Sequence, residues 1–141
     1  YLSIKKLGLK VSDVNEYYNY SHELGIAQID TNNLQDKIFG IECNFEELNG
    51  IDFRKGCYVG QENTARIKLK DKLNKRLFAI KVLDGEINSD EITSENKNLG
   101  KLLINNKNPF ALLKLEDKSF NFDKDLKCGD AKIKVLRPNW I

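Results

Sequence analysis

From Lys75 onward the chain breaks into short β-type runs, "RLFAIKVL", "KNLGKLLIN", "FALLKLE", "FNF" and "AKIKVLRP", separated by clusters of Gly, Asn, Asp and Ser. No helical pattern lies between them, so the expected product is a small antiparallel barrel or sandwich. "LKCGDAKIKV" reads as a turn feeding the last strand. Pro138 suits a strand end, because it has no N–H to contribute to a central ladder.

The residues before this tail have a different texture. Val14, Tyr17, Tyr18 and Leu24 recur near helical spacing, Ser12 stands where a cap belongs, and Asp13 and Glu16 suit a first turn, so a helix is expected over 13–24, stopped by Gly25. Asn44 to Gly50 reads as a second, short helix with Asn44 as cap and Gly50 as its left-handed stop. Between Gln61 and Leu69 two patterns compete, and a helical turn passing into a strand is expected. "KDKLNK", Lys70 to Lys75, is the polar joint, dividing the chain into an α+β portion at 1–70 and a barrel at 71–141.

Composition narrows the function classes. The chain has 141 residues, 40% apolar and 31% charged, as in ordinary globular domains. Lys and Arg number 23 against 21 Asp and Glu, a net charge of +2 with the signs interspersed, which gives no strong signal for nucleic acid. No apolar run is long enough for a membrane helix, and no secretory leader precedes one, so an intracellular protein is expected. Three scattered cysteines and a single histidine fit neither a disulfide framework nor a zinc site. The chain begins at Tyr1 and contains no methionine, which suggests part of a longer protein or its processed remainder.

The densest concentration of chemistry is "RKGCYVGQE", Arg54 to Glu62. Gly56 and Gly60 allow sharp turns or close approach of a ligand to the backbone. Cys57, beside Arg54 and Lys55 and ahead of a possible helix N-terminus, would have its thiolate favoured by charge and dipole, which makes it a candidate reactive thiol. An equally weighted reading is a small buried side chain in a tight loop. Glu62 and Arg66 are placed to pair across one helical turn, either to lock the loop or, with Gln61, to meet a ligand. His22 reads as a partly exposed helix residue. Lys68, Lys70, Lys72, Lys75 and Arg76 read as a solvated strand face, and Trp140 as a barrel-closing side chain or a stacking platform.

"KGCYVGQE", followed by Ala65-Arg66, resembles the signature of the YgfZ-type folate-binding proteins, relatives of the glycine-cleavage aminomethyltransferase that include mitochondrial iron–sulfur assembly factors. "ECNFEELNGIDF", "KKLGLK" and the strand-rich tail are similar to that family's flanking segments. The resemblance implies the end of an α+β folate-binding lobe followed by a small antiparallel β-barrel. It also implies tetrahydrofolate or a related folate as cofactor. Glu23 in "SHELGI" matches the family's pterin-contacting carboxylate, which accepts two parallel hydrogen bonds. The signature residues Lys55, Tyr58, Gln61, Glu62 and Arg66 are then expected at the same cleft. The arginine usual near Glu23 is missing, and Gly40 stands where a proline is usual.

The function implied is that of a folate-binding accessory protein supporting iron–sulfur cluster assembly or repair, and through it the iron–sulfur enzymes that modify tRNA. Its expected partners are folate and iron–sulfur proteins or their assembly factors. The expected place is the cytoplasm of a bacterium or the mitochondrial matrix of a eukaryote. Two other readings stay open: a tetrahydrofolate-dependent aminomethyl or methyl transferase, and an interaction module with a vestigial folate cleft.

Overall fold

The computed structural model describes residues 6–56, 59, 61–69, 73–115 and 120–141. Six strands, β1 Lys75–Asp84, β2 Glu91–Ser94, β3 Lys97–Ile104, β4 Phe110–Lys114, β5 Leu126–Cys128 and β6 Ala131–Val135, close into a barrel in the order β1-β4-β3-β2-β5-β6. Every pairing is antiparallel. Closure depends on the length of β1: its first half, Lys75 to Ala79, pairs with β4, and from Ile80 onward it pairs with β6. With both partners held by one strand, the sheet has no open edge to recruit another chain.

Local sequence sets the hairpins. Glu95 and Asn96 both take positive φ, 48° and 65°, between Ser94 and Lys97, the backbone of a two-residue turn that matches strand twist. The β5–β6 hairpin turns on Gly129 at φ 62°, and the side chain of Asn88 accepts from the N–H of Asp130, 3.1 Å away. The segment "LKCGD" thus contains a strand as well as the turn expected there. Of the other runs, "FNF" is not a strand: Phe120 and Phe122 pack their rings on Phe78, with centroids 6.0 and 5.4 Å from it. The sequence pattern missed β2, which is only four residues long.

Phe78, Ile80, Ile92, Leu99, Leu113, Leu126 and Ile133 fill the barrel with side chains. The interior of so narrow a barrel is packed with its own side chains, which favours binding on its outside. A second cluster of Leu77, Ala79, Ile104 and Phe110 forms on the outer wall. The bulge between Leu102 and Ile104 creates part of it, because one extra residue moves Ile104 from the face of Leu102 to the opposite one.

The N-terminal half covers that outer cluster. Helix α1, Val14–Glu23, is capped by Asp13, whose side chain accepts from the N–H of Asn15, and Ser12 instead bonds Glu16. Gly25, at φ 76°, ends it as expected. Two 3₁₀ turns, Thr31–Leu34 and Gly40–Cys43, follow. The short helix expected at 44–50 is a series of turns, with Asn44 and Asn49 left-handed at φ 64° and 57°. Asn44 is drawn away from a capping role because its side chain is fully buried and donates to the carbonyl of Leu77 at 2.8 Å.

Helix α2, Gln61–Leu69, runs through the stretch expected to become a strand. Within it Lys68 meets Glu46, at 2.5 and 2.7 Å, and lies over the ring of Phe53. The basic stretch is therefore not one strand face. Lys68 is helical, while Arg76 of β1 pairs with Glu47 and donates to Asn44.

One close approach ties the barrel together. A Cβ on Gly100 would stand 2.1 Å from the carbonyl oxygen of Leu112 on β4. Gly100→Ala must part β3 from β4 at that point and is expected to lower the unfolding free energy by about 3 kcal/mol or more. Urea unfolding followed by circular dichroism checks this, and an unchanged midpoint would contradict it.

Candidate functional site

The segment "NNKNP" between β3 and β4, Asn105 to Pro109, is where barrel and helical cover meet. Asn106 folds the loop by accepting from the N–H of Asn108 at 2.7 Å, and its amide donates to Asp30 at 2.7 Å. The side chains of Asn108 and Asn19 bond at 3.2 Å. The Pro109 carbonyl accepts from the N–H of Ile80 at 3.0 Å and from Nε2 of His22 at 2.9 Å. A carbonyl cannot donate, so Nε2 of His22 carries the proton and Nδ1 is bare in the neutral ring.

His22 was expected at the surface. It is only 8% exposed, and its ring packs edge-on against Phe110 with centroids 5.1 Å apart. Burial lowers its pKa, opposed by the Pro109 bond and by the charge of Glu23. The signal in the sequence is its helical offset from Tyr18 and Ser21, the face of α1 that the structure turns toward the barrel. Trp140 lies outside the barrel core: its Nε1 donates to the carbonyl of Leu24 at 3.0 Å, pinning the end of α1 to the tail.

These contacts shape a groove of about 590 Å³ between α1, the Asn105–Pro109 loop and β1. Glu23 and Asn19 line it from the helix, Asn106 and Asn108 from the loop, and Leu136 supplies apolar surface. Lys81 and Lys107 also border it. Ligand pockets span roughly 300–1,000 Å³ and combine apolar walls with a few fixed polar groups. The loop asparagines escaped sequence analysis, although a polar run between two strands is a common place for binding groups.

The remaining site expectations lie elsewhere. Cys57, Tyr58 and the side chain of Gln61 are outside the described residues. Lys55 is exposed in the loop before α2. Glu62 and Arg66 pair with each other at 2.6 Å on the exposed side of that helix, and neither lines the groove of Glu23. Of the other cysteines, half-buried Cys43 has its thiol pushed up to about 11, by burial first and by Glu42 second. Cys128 is buried inside the barrel and also raised, by burial and then Asp90. Both stay protonated and unreactive at neutral pH. Among the described residues no cluster of metal-ligating side chains forms and no helix is long and apolar enough to cross a membrane.

Fold and site together define a class: a small closed antiparallel barrel whose outer wall, roofed by a helical segment, carries a polar groove. Residues 74–141 match the family described as the CAF17 C-terminal beta-barrel domain. The chain is also similar to proteins named iron-sulfur cluster assembly factor IBA57, mitochondrial. The mouse protein is 34% identical over 73 residues, 52% of this chain and 20% of the relative. The human one is 32% identical over 77 residues, 55% and 22%. The homolog from Aspergillus oryzae is 39% identical over 62 residues, 44% and 14%. The chain thus spans between 14% and 22% of the length of these relatives.

The buried histidine makes stability depend on pH with a definite sign. Unfolded His22 titrates near 6.5 and the folded group lower, so between those values the unfolded chain binds more protons. Its contribution is fully present above the unfolded value and is lost as pH falls from there toward the lowered one. Thermal midpoints measured from about pH 7.5 to about pH 5 should fall on the acid side, and less steeply in His22→Gln, which keeps a donor but does not titrate. Equal slopes in both proteins would show that His22 is not the group responsible.

Proposed function

We propose that this chain is part of a folate-binding accessory factor for iron–sulfur cluster assembly, belonging with the relatives of the CAF17 and YgfZ type. The observation that carries the reading is the match of the barrel, residues 74–141, to the CAF17 C-terminal domain, together with the naming of the similar proteins as iron–sulfur assembly factors. Folate supports it through the fit of the groove. A pterin presents a flat face and a row of ring N–H and exocyclic amine donors. Glu23 would accept those donors side by side, and the amides of Asn19, Asn106 and Asn108 would serve the heteroatoms around the ring edge. Bound folate would supply one-carbon or redox chemistry of the pterin.

In this reading Cys57 of the signature loop contacts a cluster, a sulfur donor or a client protein. Iron–sulfur enzymes, including those that modify tRNA, are the clients. The mitochondrial matrix is the compartment if the source is a eukaryote, in keeping with the names of the relatives, and the cytoplasm if it is a bacterium.

Two substitutions separate the parts of the proposal. Glu23→Gln in the longest form the gene encodes should weaken tetrahydrofolate binding by about tenfold to a hundredfold in calorimetry, because one ionic acceptor is lost. Unchanged affinity would remove Glu23 from the site, and absence of binding by the folded parent protein would remove folate from the reading. Cys57→Ser should leave folate affinity unaltered while lowering iron–sulfur enzyme activity in cells that carry it as the only copy. Full activity at native expression would reduce Cys57 to a packing residue.

A further inference from the structure

Three seams of the barrel set lysine directly against lysine: Lys75 opposite Lys114, Lys81 opposite Lys134, and Lys127 opposite Lys132. Like charges opposed across antiparallel strands are destabilising. Two of these seams share β6, where Ala131, Ile133 and Val135 are buried and the alternating Lys132 and Lys134 are exposed. Lys81, Lys134, Lys132 and Lys127 therefore occupy one outer face of β1, β6 and β5, and all four are exposed.

Little neutralises this face. Lys132 is held by Asp125 at 2.7 Å and stands opposite Asp84 of β1, but among the described residues Lys81, Lys127 and Lys134 form no ion pair. The helical cover reaches Leu77 and Ala79 on β1, and the basic face begins at the next outward residue, Lys81. A sequence selected only for barrel stability would alternate charge signs across these seams. Repulsion retained between Lys81 and Lys134, with Lys127 also unpaired among the described residues, marks a surface whose missing anions come from outside the chain.

We propose that the outer face of β1, β6 and β5 docks an extended acidic segment of a partner protein, its carboxylates meeting the four lysines. Lys132 and Lys134 are two residues apart on one strand, about 6.7 Å, the repeat of alternate residues in an extended peptide. A partner strand with an acid at every second position therefore keeps in step with β6. A nucleic acid fits less well, since single-strand binders add aromatic platforms to their cations. The exposed positions of these three strands carry none, and the whole chain has a net charge of only +2.

The test is fluorescence anisotropy of the complete chain with a labelled peptide of alternating glutamate and serine. Binding should weaken with salt and fall about tenfold in Lys127→Gln/Lys134→Gln, the scale expected of two surface charge contacts. The same double variant should be at least as stable as the parent, because a source of cross-strand repulsion is gone. Lys75→Gln/Lys114→Gln, which relieves a seam outside the face, should bind like the parent. No binding by the parent, equal binding by the Lys127 and Lys134 variant, or an equal loss in the Lys75 and Lys114 variant would overturn the proposal. So would tighter binding of a uridine oligonucleotide of the same charge, which would make the face a nucleic-acid surface.

Discussion

Strand β1 is buried on both faces from Leu77 to Ile80, and the rest of the molecule is arranged around that fact. Phe78 and Ile80 point into the barrel, while Leu77 and Ala79 point out beneath the helical cover. Burying a large apolar side chain is worth roughly 1.5–3 kcal/mol, so a barrel carrying Leu77, Ile104 and Phe110 on its outer wall strongly favours a cover. A cover over a strand must also satisfy polar groups removed from water. Asn44 meets the carbonyl of Leu77, His22 meets that of Pro109, and Trp140 meets that of Leu24 at the far end of α1. The cover holds its shape through these contacts. A helix of ten residues such as α1 is marginal by itself in water.

Docking of the cover is what creates the groove. The barrel interior is filled, so its capacity to hold a ligand depends on what is laid against its outside. The Asn105–Pro109 loop is folded by its own asparagines and then clamped by Asp30, Asn19 and His22, which fixes the far wall opposite Glu23. His22 thus acts as a positioning residue: its neutral ring, with the proton on Nε2, joins α1 to the loop. Protonating Nδ1 would place a charge against Phe110 in a buried setting.

The other outer surface of the barrel is governed by charge. Ring closure leaves no strand edge to pair with another chain, so recognition has to run through side chains standing out from the sheet. Where the cover ends, the sheet changes from apolar to lysine-rich within two residues of β1, from Ala79 to Lys81. One wall of the barrel is devoted to holding the molecule together, and the neighbouring wall is free to meet something else.

The sequence alone determined the elements whose signals are local. Turn residues and alternation specified the barrel strands Lys75–Asp84, Lys97–Ile104, Phe110–Lys114 and Ala131–Val135. Helical spacing and Gly25 specified α1, and the spacing of Glu62 and Arg66 specified their ion pair. What only the tertiary structure decided was every feature requiring two distant segments at once. Asn44 became a buried hydrogen-bond donor and not a helix cap because Leu77 lies above it, and Lys68 of α2 meets Glu46, 22 residues away in the chain. His22 was buried because Pro109 and Phe110 meet its ring. Cross-strand register, which sets Lys81 against Lys134, likewise has no signature in either strand taken singly. Propensity and pattern act over a few neighbouring residues, whereas burial and charge pairing depend on which surfaces the closed barrel brings into contact.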